Sequence, residues 1–178
     1  MSFIVAAILG VVEGLTEFLP ISSTGHLIMA GKLLGLEGGV FLSSFDIAIQ
    51  SGAILAVIYL FAGKLLANKH LMLKVAAAFV PTAVVGFAIY KLFKTYLAGN
   101  LMITVAALFF GGVFLIWFER YYREHNKVEN AFGLDQLNYG QAMLIGLAQT
   151  LAIVPGVSRS AATIIGGMAI GLSREAVV

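Results

Sequence analysis

The residues of this chain best suited to chemistry fall in two short stretches. The first, "EGLTEFLPISSTGH" at 13–26, holds Glu13, Glu17, Ser22, Ser23, Thr24 and His26. Glu13 and Glu17 are four apart, a spacing that sets both carboxylates on one face of a helix. Ser23 offers a hydroxyl nucleophile, and His26 a ring of the kind that exchanges protons near neutral pH. The second stretch, "PGVSRSAAT" at 155–163, has the ingredients of an oxyanion cradle. Gly156 permits a tight turn, and the helix start after it offers free backbone N–H groups. Arg159 adds a planar fork matched to phosphate oxygens. Ser158, Ser160 and Thr163 add hydroxyls there, as Ser22 and Thr24 do in the first stretch.

A carboxylate pair, a hydroxyl, a histidine and an anion cradle together point to phosphoryl transfer. Positioning and charge neutralisation do most of that chemistry. Glu13 and Glu17 are also candidate ligands for a hard cation such as Mg²⁺ or Ca²⁺. Zinc is disfavoured, since there is no cysteine and His26 is the only histidine inside an apolar segment. No organic cofactor is expected.

These groups sit in an oily chain. Of 178 residues, 60% are hydrophobic and 11% charged, and the mean hydropathy is +0.98. Soluble domains average about 45–50% apolar and about 25% charged, so the balance indicates an integral membrane protein. The absence of cysteine excludes disulfides and thiolate chemistry. The net charge of +2 is too small to indicate a nucleic-acid partner. Nothing resembles a cleaved signal, because no basic segment precedes the first apolar run.

Three stretches, roughly 47–62, 75–90 and 101–118, are predicted to span the bilayer, with Pro81 kinking the second. Two further apolar regions are broken midway. Residues 2–36 are interrupted by Pro20 and the Ser-Ser-Thr-Gly cluster, and 139–172 by "PGVSRS". Such breaks at membrane depth require cover from protein or a hydrated cavity, so both regions are predicted to be re-entrant helical hairpins. A shift of 136 positions lays Gly10 on Gly146, Glu13 on Gln149, Ser22 on Ser158, Thr24 on Ser160 and Gly35 on Gly171. With three spans between the copies, the second is inverted relative to the first. The expected architecture is therefore all-α and polytopic, a single membrane domain over 1–178. The first repeat covers about 1–136, and the second, from about 137, is incomplete. Lys64, Lys69, Lys74, Arg120, Arg123 and Lys127 are expected in loops on the cytoplasmic side, with Lys91 and Lys94 in the opposite loop. His70 and His125 are likewise expected in loops.

The motifs "GVVEGLTEFLPISSTGHL", "GLAQTLAIVPGVSRSAATIIGGM" and the intervening "IQSGAILAV" closely resemble the undecaprenyl-diphosphatase family, also known for bacitracin resistance. The resemblance covers nearly the whole chain. It implies removal of the terminal phosphate of undecaprenyl diphosphate at the outer face of the bacterial cytoplasmic membrane, which recycles the lipid carrier for peptidoglycan synthesis. The implied partners are the polyprenyl diphosphate and membrane lipid, and homo-oligomerisation is left open. Carried over by motif, the acidic pair falls on Glu13 and Glu17, the serine on Ser23 and the histidine on His26. The phosphate-binding arginine falls on Arg159, with Ser158, Ser160 and Thr163 around it. Ser23 is favoured as nucleophile over His26, activated by a neighbouring glutamate or by His26.

Inverted repeats with broken helices also suit a lipid-phosphate transporter, the alternative class. A phosphatidic-acid-type phosphatase is discounted, because no histidine follows Arg159. The composite site predicts Arg159 within about 10 Å of both Glu17 and His26, so that one diphosphate bridges them.

Overall fold

The computed structural model describes residues 1–97, 100–125 and 131–177. Among these, the regular structure is helical apart from one isolated bridge between Phe132 and Leu172. Helix α1 spans Phe3–Thr16 and α2 Ser23–Leu33. Three long apolar helices follow: α3 (Val40–Ala67), α4 (Lys69–Ala88) and α6 (Leu101–His125). A short α5 (Tyr90–Leu92) and a π turn (Phe93–Leu97) come between the last two. Then α7 (Tyr139–Gln149), a 3₁₀ turn (Thr150–Ile153), α8 (Arg159–Ala169) and α9 (Arg174–Val177) close the described chain.

Segments Phe41–Gly63, Lys69–Ala88 and Leu101–Arg123 are long and apolar enough to cross a membrane, and few of their residues are fully buried in protein. The helices extend beyond the apolar runs predicted at 47–62, 75–90 and 101–118, except that α4 ends at Ala88, short of residue 90. A helix ends where its backbone is capped rather than where hydropathy falls, and Asn68 caps α4 by accepting from the Leu71 N–H at 3.0 Å. For the same reason Lys64, Lys69, Lys74, Arg120 and Arg123 lie on helix ends rather than in loops. Lys91 and Lys94 lie in α5 and the π turn, His70 in the first turn of α4, and His125 ends α6. Lys127 lies outside the described residues. Pro81 sits inside α4, which continues through it.

The two broken regions fold alike. Helix α2 and helix α8 each have 11 residues, and their caps Ser22 and Ser158 each accept a backbone N–H three residues on, from Gly25 and Ala161. Both helices end on a left-handed glycine, Gly35 (φ 71°) or Gly171 (φ 97°). The residue after it reaches back across the last turn, Leu36 N–H to Gly31 O at 2.9 Å and Leu172 N–H to Gly167 O at 3.0 Å. That is the glycine-terminated stop in which orphan carbonyls are satisfied. Within each region the first helix packs on the second, α1 on α2 and α7 on α8.

The most extensive packing is α4 against α7. It depends on Gly146, where a β-carbon would stand 1.7 Å from the Ala78 carbonyl oxygen. Thr82 Oγ1 donates to the Gly146 carbonyl at 2.8 Å across the same contact. Backbone cannot yield as a side chain does, so Gly146→Ala is expected to lower stability by about 1–3 kcal/mol or more. A clear fall in the thermal unfolding midpoint in detergent would register it; an unchanged midpoint would remove this contact as the reason for a glycine there.

Candidate active site

Glu17 forms the C-cap of α1, where the chain turns through Pro20 before α2 begins. Proline disfavours a helical residue before it, which helps end the helix here. At the end of the turn Ser22 adopts φ 64°, a left-handed conformation rare for a residue with a side chain. This strained cap sets the direction of α2 and buries Ser22 and Ser23. The Ser23 hydroxyl then donates to Oε2 of Glu17.

The other half is built from the break between α7 and α8. Gly156 turns at φ 96°, close enough to α6 that a β-carbon would stand 2.4 Å from the Thr104 carbonyl oxygen. The turn leads into Ser158, the cap of α8. Ser160 Oγ donates to the Leu19 carbonyl at 2.9 Å, which ties this break to the first one. Its single proton is thereby used, so in the 2.9 Å contact between the two serines Ser158 is the donor.

The breaks enclose a small polar cavity of about 30 Å³. Glu17, Ser22, Ser23 and Thr24 line one side, and Ser158, Arg159 and Ser160 the other. Two helix N-termini, of α2 and α8, therefore converge on one space that Arg159 also lines. Each carries a partial positive charge and N–H groups outside the helix ladder, a setting suited to an anion.

Beside it runs an apolar groove of about 550 Å³ between α2, α6, α7 and α8, which shares Val157 and Ser158 with the cavity. His26 lines this groove and not the polar cavity. Its Nδ1–H donates to the Ser22 carbonyl at 2.8 Å. Thr163 does not line the cavity either; its hydroxyl bonds the carbonyls of Arg159 and Ser160 in its own helix. The sequence reading missed Gln50, whose side chain reaches Thr24 from α3. The available signal was a primary amide in an otherwise apolar run.

Glu13 is 1% exposed, and neither carboxylate oxygen has a hydrogen-bond partner among the described residues. A buried carboxylate without compensation costs several kcal/mol. Its oxygens, with those of Glu17, are the hard donors that Mg²⁺ or Ca²⁺ takes. Among the described residues no group of three or more His, Asp or Glu gathers into a full cage. Glu17 lines the polar cavity and Glu13 does not, so a cation between them would take its remaining ligands from water or phosphate oxygens.

Residues 6–178 match the family model described as bacitracin resistance protein BacA. Among curated relatives, the undecaprenyl-diphosphatase of Campylobacter fetus subsp. fetus is 47% identical over 176 residues, which are 98% of this chain and 67% of the relative. That of Sulfurihydrogenibium sp. is 47% identical over 175 residues, 98% of this chain and 68% of the relative. That of Aquifex aeolicus is 44% identical over 170 residues, 96% and 65%. The chain thus spans about two thirds of the length of the curated relatives it matches.

Proposed function

We propose, since the chain belongs to the bacitracin resistance protein BacA family, that it hydrolyses undecaprenyl diphosphate to undecaprenyl phosphate and inorganic phosphate. The activity recycles the carrier lipid for peptidoglycan synthesis and confers bacitracin resistance. The observation that carries this reading is the adjacency of an anion cavity and an apolar groove. A lipid diphosphate needs both, one for its head and one for the start of its prenyl chain.

In this scheme Ser23 Oγ attacks the terminal phosphorus while its proton passes to Glu17, the carboxylate it already bonds. The bond from that phosphorus to the bridging oxygen breaks, and Glu17 returns the proton to the departing lipid phosphate. A water then attacks the phosphoserine with Glu17 as base. The P–Oγ bond breaks, phosphate leaves and Ser23 recovers its proton. Arg159 and the N–H groups at the start of α8 hold the equatorial oxygens on which charge is spread. His26 fixes the strained turn through the Ser22 carbonyl at the boundary of head and tail. A divalent cation held by Glu13 and Glu17 would add charge neutralisation on the diphosphate.

The two broken regions act as re-entrant hairpins in an inverted repeat. Their matching lengths, caps and glycine stops support this, as does the odd number of intervening spans. The basic ends of α4 and α6, with Lys69, Lys74, Arg120 and Arg123, are assigned to the cytoplasm. The first hairpin then enters from the outer face of the cytoplasmic membrane, where the site opens.

Phosphate release from undecaprenyl diphosphate by the protein in detergent, with and without chelator, is the decisive measurement. Release that falls to background with chelator and returns with Mg²⁺ or Ca²⁺ is expected. No release in detergent, together with movement of lipid phosphate across closed vesicles, would establish the transporter instead.

A further inference from the structure

Of the two polar residues of "IQSGAILAV", Ser51 bonds the Ile47 carbonyl of its own helix, and Gln50 is left without a task in the hydrolysis scheme. Gln50 lies on α3 within the candidate span Phe41–Gly63. Polar groups at such depth are costly unless paired, and they mark function more often than scaffold. Gln50 Nε2 donates to Thr24 Oγ1 at 3.3 Å, across 26 positions of sequence. Asp46, one turn earlier on the same face of α3, is half-buried and within Coulombic reach of Glu13. The polar stripe of α3 therefore faces the mouth of α2.

What Gln50 does to Thr24 follows from hydroxyl chemistry. A threonine hydroxyl has one proton to give and two lone pairs to receive. Thr16 and Thr104 each spend that proton on the carbonyl four residues earlier, and Thr163 on the carbonyls three and four residues earlier. Thr24 lies in the first turn of α2, and the residues three and four before it, Ile21 and Pro20, belong to the turn rather than to the helix. Gln50 fills an acceptor position on Thr24 and cannot take its proton through the amide nitrogen. The proton is left for an acceptor in the cavity that Thr24 lines.

We infer that Gln50 is a positioning residue: by donating to Thr24 it sets the Thr24 hydroxyl as a hydrogen-bond donor to the anion in the cavity. This rests on the phosphate-cradle reading given above. It assigns to α3 a part in head-group recognition that neither motif stretch carries.

The test is a double-mutant cycle on affinity for methylenediphosphonate, a non-hydrolysable head-group probe, measured by calorimetry on the full chain in detergent. Gln50→Ala is expected to weaken binding about tenfold, equivalent to about 1.4 kcal/mol. Gln50→Met, which keeps length without a donor, should do the same. Gln50→Glu should weaken it further, because an ionised carboxylate accepts the Thr24 proton and repels the anion. In a Thr24→Ala background Gln50→Ala or Gln50→Met should add nothing, as residues acting through one contact are not additive. The thermal midpoint of Gln50→Met should stay close to wild type. Equal losses with and without Thr24, or wild-type affinity in both Gln50→Ala and Gln50→Met, would overturn the assignment alone. A wild-type chain that neither binds the probe nor releases phosphate would overturn the cradle and, with it, the role of Gln50.

Discussion

Replacing Ser23 with alanine is expected to lower kcat by about a thousandfold or more, while leaving the affinity for a lipid diphosphate within a few-fold of wild type. Loss of a nucleophile acts on the chemical step, and the residual rate comes from the remaining binding groups. The hydroxyl is buried and already bonded to Glu17, so its removal vacates little space and breaks one contact. Turnover and binding should be measured separately on the same preparation. A Ser23→Ala protein that turns over normally, beside a His26→Ala protein that does not, would transfer the nucleophile to the histidine. The structure gives His26 a different setting: it bonds the Ser22 carbonyl and faces the apolar groove. His26→Ala is therefore expected to retain more activity than Ser23→Ala.

Arg159→Lys should lose activity by on the order of a hundredfold although the charge is kept. An arginine that meets the transferring phosphoryl group contributes by geometry as well as charge, and removal of such a group costs about 10³–10⁵ in kcat. A lysine ammonium is a point charge and cannot give two parallel N–H donors to one phosphate. Arg159 is the first residue of α8, so its side chain leaves from the same place as the free N–H groups of that helix. The replacement leaves those N–H groups in place, which is why loss is expected to be large but incomplete. Steady-state phosphate release across substrate concentrations would check it, and wild-type rates would remove Arg159 from the phosphate site.

Much of this was legible in the residues. Hydropathy along the chain marks α3, α4 and α6, because a spanning helix must be apolar over its length. Pro20 and Pro155 with their serine clusters mark the breaks, because their local chemistry ends one helix and caps the next. Glu17 and Arg159, 142 positions apart, line one cavity. No local pattern links two residues so far apart, and Arg159 is exposed rather than buried.

What sequence by itself determined is the class of protein, the places where its helices break, and the set of polar groups present at those breaks. Each depends on residues within a few positions of one another, so composition and spacing suffice. Only the tertiary structure decided how those groups are spent. Ser23 meets Glu17, Ser160 ties itself to Leu19, Thr163 turns back to its own helix, and Gln50 reaches Thr24 from a third helix. The direction of a hydroxyl follows from the rotation of its helix and the strain of the turn before it, as at Ser22 with φ 64°. At the second break, close backbone approaches between residues far apart in sequence hold the elements in place, Gly156 on Thr104 and Gly146 on Ala78. Packing between distant elements, unlike helix chemistry, has no local signature.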